Sequence, residues 1–167
     1  MTIPYKMSRE KPHKGGKPHV HGMLDTLAAA EAHCLRAGTT LTPSRRRVLE
    51  ILIGEGRPLG AYELIDRLAD TTGKRPAPIS VYRALDFLLD NGLIHRLASR
   101  NSYLACGHGH RTQDLVIFLI CEACGEVMEA TSEPVRENLA DIATKAQFSP
   151  RLQVMEIAGR CKACAEP

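Results

Sequence analysis

The run Pro78-Ile79-Ser80-Val81-Tyr82-Arg83-Ala84-Leu85-Asp86-Phe87-Leu88-Leu89-Asp90-Asn91-Gly92-Leu93-Ile94-His95-Arg96-Leu97 changes its period part-way along, and that change decides the fold. Val81, Ala84, Leu85 and Leu88 recur at helical spacing, Pro78 suits a first helical turn, and Asn91-Gly92 reads as a stop. Beyond Gly92 the pattern is that of strands, 93–97 and 101–105, joined by the polar turn Ala98-Ser99-Arg100. A helix over 78–91 followed at once by a two-stranded hairpin is therefore expected.

Working outward toward the front, three further helices are predicted. Residues 23–37 place Leu24, Leu27, Ala28, Cys34 and Leu35 on an apolar face; 43–54 opens on Thr42 as N-cap and Pro43, with Val48, Leu49 and Leu52 inward; 60–69 turns Leu64, Ile65 and Leu68 inward. Short helices leading into a hairpin describe a winged helix-turn-helix, whose last helix enters the major groove of duplex DNA. The core stripe of 78–91 leaves Ser80, Tyr82, Arg83 and Asp86 outward, and Arg83 can contact guanine through two hydrogen bonds. An outward arginine is ordinary on any amphipathic helix, so this face alone does not separate DNA binding from a solvated surface.

The rear half reads strand, strand, helix, strand, with Val135, Leu139 and Ile142 inward on a helix over about 133–148. Cys121-Glu122-Ala123-Cys124 and Cys161-Lys162-Ala163-Cys164 each close a predicted strand, with 36 residues between them. Two such turns present four thiolates to one tetrahedral zinc ion, a structural site that typically contributes ~10 to 16 kcal/mol of apparent binding free energy. The redox use of C-x-x-C expects a helix directly after the pair, whereas Cys124 is followed by Gly125 and a strand-like segment. A looser set of donors, His95, Cys106, His108, His110, Asp114 and Glu129, gathers around the junction between the halves. A mixed set drawn from several segments forms a site only at one relative orientation of the two halves; the alternative is surface histidines and a buried thiol. Cys34 reads as a core residue.

Composition supports this frame. The chain has 167 residues and a net charge of +3, with 44% hydrophobic and 25% charged residues, as in ordinary globular proteins. The charge runs from +4 over 1–22 through +2 over 23–106 to −3 over 107–167, a basic front for a polyanion and an acidic rear for a cation. No apolar run approaches the ~20 residues of a membrane span, and the first 22 residues lack a secretory core, so a cytoplasmic protein with no membrane partner is expected. In that reducing compartment six cysteines point to metal or redox chemistry rather than disulfides. No P-loop, H-E-x-x-H or G-x-S-x-G is found, and a four-thiolate site has no open position; neither an enzyme nor a small-molecule substrate is expected.

Thr42-Pro43-Ser44-Arg45, Ala61-Tyr62-Glu63-Leu64, Ser80-Val81-Tyr82-Arg83-Ala84-Leu85-Asp86-Phe87-Leu88 and the two C-x-x-C pairs resemble the ferric uptake regulator superfamily. The His95-x10-Cys106 spacing and Asn101-Ser102-Tyr103 are similar to its zinc uptake regulator (Zur) branch. The resemblance runs over about 23–164. It implies an α+β fold, with an N-terminal winged helix-turn-helix domain (23–106) and a C-terminal α/β dimerisation domain (107–167); the basic, proline- and glycine-bearing residues 1–22 read by composition as a disordered tail. The resemblance also implies a homodimeric, zinc-activated repressor of zinc uptake genes binding a palindromic operator. By the same resemblance Cys121, Cys124, Cys161 and Cys164 match the structural zinc site, and His95, Cys106 and Glu129 match regulatory zinc ligands. Tyr62 and Arg83 match positions that contact bases. Where the branch carries a histidine ligand this chain has Asp114, so the fourth regulatory ligand is Asp114 or else His110 or His108. Arg45, Arg46 and the tail lysines are the expected phosphate contacts. The alternatives are an iron- or peroxide-sensing member of the superfamily, and a thiol or zinc protein that does not bind DNA; the thiolate at Cys106 favours zinc over iron.

Overall fold

The computed structural model describes residues 20–106, 115–150 and 154–165, with side chains from residue 26 onward. Its order is α1 (Val20–Arg36), α2 (Pro43–Glu55), β1 (Leu59–Gly60), α3 (Ala61–Thr72), α4 (Pro78–Asp90), β2 (Ile94–Leu97), β3 (Ser102–Ala105), β4 (Val116–Cys121), β5 (Val127–Ala130), α5 (Glu133–Lys145), β6 (Val154–Gly159) and α6 (Lys162–Ala165). A single 3-10 turn, Ala98–Arg100, links β2 to β3.

The front half packs four helices against a small antiparallel sheet ordered β1-β3-β2. Its core joins Leu27 and Ala30 of α1, Val48, Leu49 and Leu52 of α2, Leu64, Ile65 and Leu68 of α3, and Val81, Ala84, Leu85 and Leu88 of α4. Each fully buried leucine among these contributes roughly 1.5 to 3 kcal/mol. The expected inward faces of α2, α3 and α4 are all realised. In α1 the buried positions are Leu27, Ala30 and Cys34, whereas Ala28 is exposed and Leu35 is 80% exposed. Leu27, Ala30 and Cys34 recur at i, i+3 and i+7 and define a narrow buried stripe; residues 28 and 35 lie one step, about 100°, to one side of it and are exposed. The helix also begins at Val20, three residues earlier than its period indicated.

Thr42 occupies the N-cap of α2 without a side-chain cap bond; its carbonyl accepts from Arg46 N–H at 2.9 Å. Beyond α4, Gly92 takes φ 65° and Leu93 N–H reaches back to the Leu88 carbonyl at 2.9 Å, which turns the chain directly into β2. Strand β1 is too short for a sequence period to register. It pairs Leu59 with Tyr103 and anchors α3 to the hairpin.

The rear half is a sheet ordered β5-β4-β6, with β4 antiparallel to β5 and parallel to β6. One face carries Val116, Phe118 and Ile120 of β4, with Val127 and Val154 beside them, and Leu97 and Leu104 of the hairpin pack onto it. The two halves thus share an apolar cluster. Helix α5 contains no buried residue: Val135 and Leu139 are half-buried, Ile142 is 62% exposed, and the following Phe148 is 67% exposed. The inward face expected for this helix is therefore left largely uncovered within one chain, and the helix ends at Lys145 rather than near Phe148.

Candidate metal and DNA-binding sites

The strand ends bring the two cysteine pairs together. Cys121 closes β4, Cys161 follows β6, and the parallel register Cys121↔Gly159 sets them side by side. All four ligand atoms lie within 4.8 Å of one another, the one such cluster of three or more metal-ligating side chains among the described residues. Cys124 and Cys161 sulfurs are 3.7 Å apart, close to the ~3.8 Å edge of a tetrahedron with zinc–sulfur bonds of ~2.3 Å. The donor set and its spacing fit zinc.

Backbone N–H groups of Cys124 and Cys161 hold the Cys121 thiol down to about 6, so this sulfur is a thiolate at neutral pH. The Cys161 N–H lies 3.4 Å from it. Cys164 is pushed up to about 12 by its hydrogen bonds with Cys161 and Cys124, because four sulfurs at this distance cannot all ionise without a cation among them. Gly125 closes the turn in the left-handed region, φ 80°. A shallow apolar cavity of about 190 Å³, lined by Leu119, Met128, Ile157 and Cys161 among others, flanks the cluster.

At the junction, His95 of β2 is buried with its ring edge-on to Phe118, centroids 5.4 Å apart. Phe118 is flanked in register by Glu129 on β5 and Glu156 on β6. Burial lowers the imidazole pKa below its ordinary value, and the Glu129 carboxylate partly opposes that shift. His95 is thus kept neutral, the state in which a histidine can ligate a metal. Cys106 is buried one residue beyond β3, its N–H donating to the Leu93 carbonyl at 3.0 Å. His95, Cys106 and Glu129 are thereby carried to one end of the hairpin and the facing sheet, but they do not form a cluster as close as the four cysteines. Asp114, His108 and His110 lie outside the described residues.

The sequence reading passed over two residues that also join the halves, Arg100 and Glu156. Glu156 accepts from Ala98 N–H at 2.6 Å, and Arg100 donates to the Cys121 carbonyl at 2.8 Å. The turn read simply as polar, and the register that aligns Glu156 with Phe118 depends on a parallel pairing that no local pattern announces.

On the winged half, Ser80, Arg83 and Asp86 are exposed along α4, and Tyr62 of α3 is 68% exposed. Tyr82, expected outward, is half-buried against the core. The Arg45 guanidinium carbon lies over Phe87, 3.6 Å from the ring centre, and Arg45 donates to the Thr40 carbonyl at 2.8 Å. Arg46 is ion-paired with Glu31 and, at 2.8 Å, with Glu50. Arg47, which the sequence did not single out, is exposed beside Ser44 and Ser80.

Residues 36–158 match the ferric uptake regulator family. The chain belongs to that family. It is 37% identical over 142 residues to the zinc uptake regulation protein of Escherichia coli K12, covering 85% of this chain and 82% of that one. Among solved structures, a zinc uptake regulator complexed with zinc and DNA superposes with a TM-score of 0.78 at 36% identity, covering 86% of this family member and 95% of that chain. Holo XcZur gives 0.75 at 38% identity, covering 86% and 99%; apo XcZur gives 0.52 at 39% identity, covering 87% and 99%. At nearly equal identity this family member is closer to the holo form. No helix among its described residues is long and apolar enough to cross a membrane.

Proposed function

We propose that this protein is a zinc-responsive repressor of zinc uptake genes, acting in the cytoplasm as a homodimer on a palindromic operator in duplex DNA. The observation that carries the reading is the likeness to a regulator solved with both zinc and DNA, across 86% of the chain. A regulator of this kind needs no catalytic group, and the four-thiolate cluster leaves a bound ion no open position for substrate.

Two metal sites divide the work. Cys121, Cys124, Cys161 and Cys164 would hold a structural zinc, tying the end of β4 to the segment after β6. His95, Cys106 and Glu129, with Asp114, His110 or His108 as the fourth donor, would hold the regulatory zinc. Held by donors from the hairpin and the facing sheet, zinc would supply Lewis-acid coordination there, and these residues would then favour one orientation of the winged half (23–106) over others. A bias of ~1 to 3 kcal/mol corresponds to a ~5- to 150-fold change in operator affinity. Support comes from the burial that keeps His95 neutral, from Glu129 lying beside Phe118, and from the thiol of Cys106 as a soft donor.

The dimer is supported by the uncovered apolar side chains Ile142, Phe148, Met128 and Ile157, which a second copy of the rear half would bury. Two symmetry-related α4 helices would then meet two half-sites. Arg83 and Ser80 present the recognition face, and the exposed Tyr62 of α3 is a further candidate base contact. Arg45 and Arg46 reach phosphates by leaving Phe87 and the Glu31/Glu50 pair; Arg47 contacts a phosphate without that competition.

The test is operator binding in metal-buffered solution. Anisotropy of a labelled duplex, selected from random DNA by the metal-replete protein, should respond to free zinc far below the concentration at which ferrous iron acts. A response to iron alone would move the protein to the iron-sensing branch. Metal-independent binding, or none, would reject the reading.

A further inference from the structure

Besides the shared apolar cluster and the His95 junction, the tip of the hairpin is gripped from two sides. Glu156, in register with Phe118 on β6, accepts hydrogen bonds from Ala98 N–H at 2.6 Å, from Ser99 N–H at 3.2 Å and from the Ser99 hydroxyl. From the same turn Arg100 donates through Nη2 to the Cys121 carbonyl at 2.8 Å and through Nη1 to the Gly125 carbonyl at 3.1 Å. Those carbonyls belong to the first cysteine and to the residue just after the first C-x-x-C pair. Gly125 makes the room: a Cβ there would lie 3.3 Å from Arg100 Nη1, on a backbone already at φ +80°.

We propose that Glu156 and Arg100 are positioning residues for DNA recognition, clamping the hairpin tip to the rear half and so fixing the angle at which α4 meets its operator. The clamp rests on the DNA-binding reading above, and its physical logic is leverage. Only residues 91–93 separate α4 from β2, and Leu93 is tied back to Leu88, so hairpin and helix turn as one body. Five hydrogen bonds, each with a charged partner, converge on one three-residue turn. They lie largely at the surface, where such bonds add little net stability; what they add is a fixed direction. Because both acceptors of Arg100 sit on the cysteine turn, the clamp closes only when that turn is ordered. The four-cysteine centre is then a support for the wing as well as a staple for its own half.

The decisive variant is Glu156→Gln in the full-length, zinc-loaded protein. It removes a negative charge, so charge alone would strengthen binding to DNA, whereas loss of the clamp weakens binding to the operator. The expected result is an operator affinity reduced at least ~10-fold, within the usual range of coupling, with binding to random duplex not reduced and the zinc content and dimer intact. Arg100→Ala should lower operator affinity in the same way, and Arg100→Lys should restore part of it. Arg96→Ala is the control, since among the described residues the hydrogen bond of Arg96 stays within the hairpin, to Asn101 at 3.1 Å. A readout independent of DNA is the distance between spin labels carried on non-cysteine amino acids at Thr71 and Lys145, in dimers diluted with unlabelled chain. It should be narrow in the unaltered protein and broad in Glu156→Gln and Arg100→Ala. Unchanged distances together with operator affinity within twofold would overturn the clamp. If the unaltered protein shows no zinc-dependent operator binding, the functional reading and the clamp's effect on DNA both fail, while the distances still decide whether Glu156 and Arg100 hold the tip.

Discussion

Arg83 meets solvent, whereas His95 is buried against the rear half. Replacing Arg83 by alanine removes an exposed fork and leaves the core of α4 untouched, so the fold should survive. Specific operator affinity should fall by ~1 to 3 kcal/mol while binding to random duplex changes far less, as measured by paired titrations at fixed salt. His95 carries the pH dependence. Burial depresses its pKa in the folded protein, so below the ordinary imidazole value of ~6.5 the unfolded chain binds a proton that the folded chain refuses. The contribution of neutral His95 is complete above that pH and is lost as pH falls through the lower, folded value. In protein whose four-cysteine site is loaded and which carries no other metal, thermal stability should therefore decline on acidification from neutral pH, and an NMR titration should show the His95 imidazole protonating below the ordinary range. A His95 resonance that titrates at or above ~6.5 would contradict the account.

At the scale of elements, the legible parts were those governed by a local period. Val81, Ala84, Leu85 and Leu88 announced α4, and the change of period after Gly92 with the polar turn 98–100 announced the hairpin, because side-chain periodicity and helix stops are short-range. Strand β1 and the parallel β4–β6 register were not legible, since each depends on a partner far along the chain. The four-cysteine site could be read because spacing alone nearly defines it. The Glu156–Ser99 contact could not, for it joins a strand to a turn 57 residues away. Helix α5 misled in an instructive way: its apolar stripe exists, but Ile142 faces outward from the single chain. We expect Ile142→Glu to shift the protein from dimer toward monomer in sedimentation while leaving its helical signal intact. A variant that remains a dimer at micromolar concentration would place the interface elsewhere.

For the whole molecule, the proposed function requires that a small ion at the junction bias the orientation of the DNA-reading surface on α4. The shared cluster of Leu97 with Val116, Phe118 and Ile120 packs the two halves together, and the buried His95 ring lies against Phe118 of that cluster. A zinc bond from hairpin to sheet would then tip a balance that packing and the clamp have already brought close. The measurement that tests this most directly starts from protein whose four-cysteine site is loaded and which carries no other metal. Buffered zinc is added, zinc per protomer is read by native mass spectrometry, and operator binding is measured in the same buffers. The account predicts that a second zinc per protomer enters as operator affinity rises, and that Cys106→Ser abolishes both while keeping the first zinc. Saturation at one zinc per protomer with no change in DNA binding would contradict it.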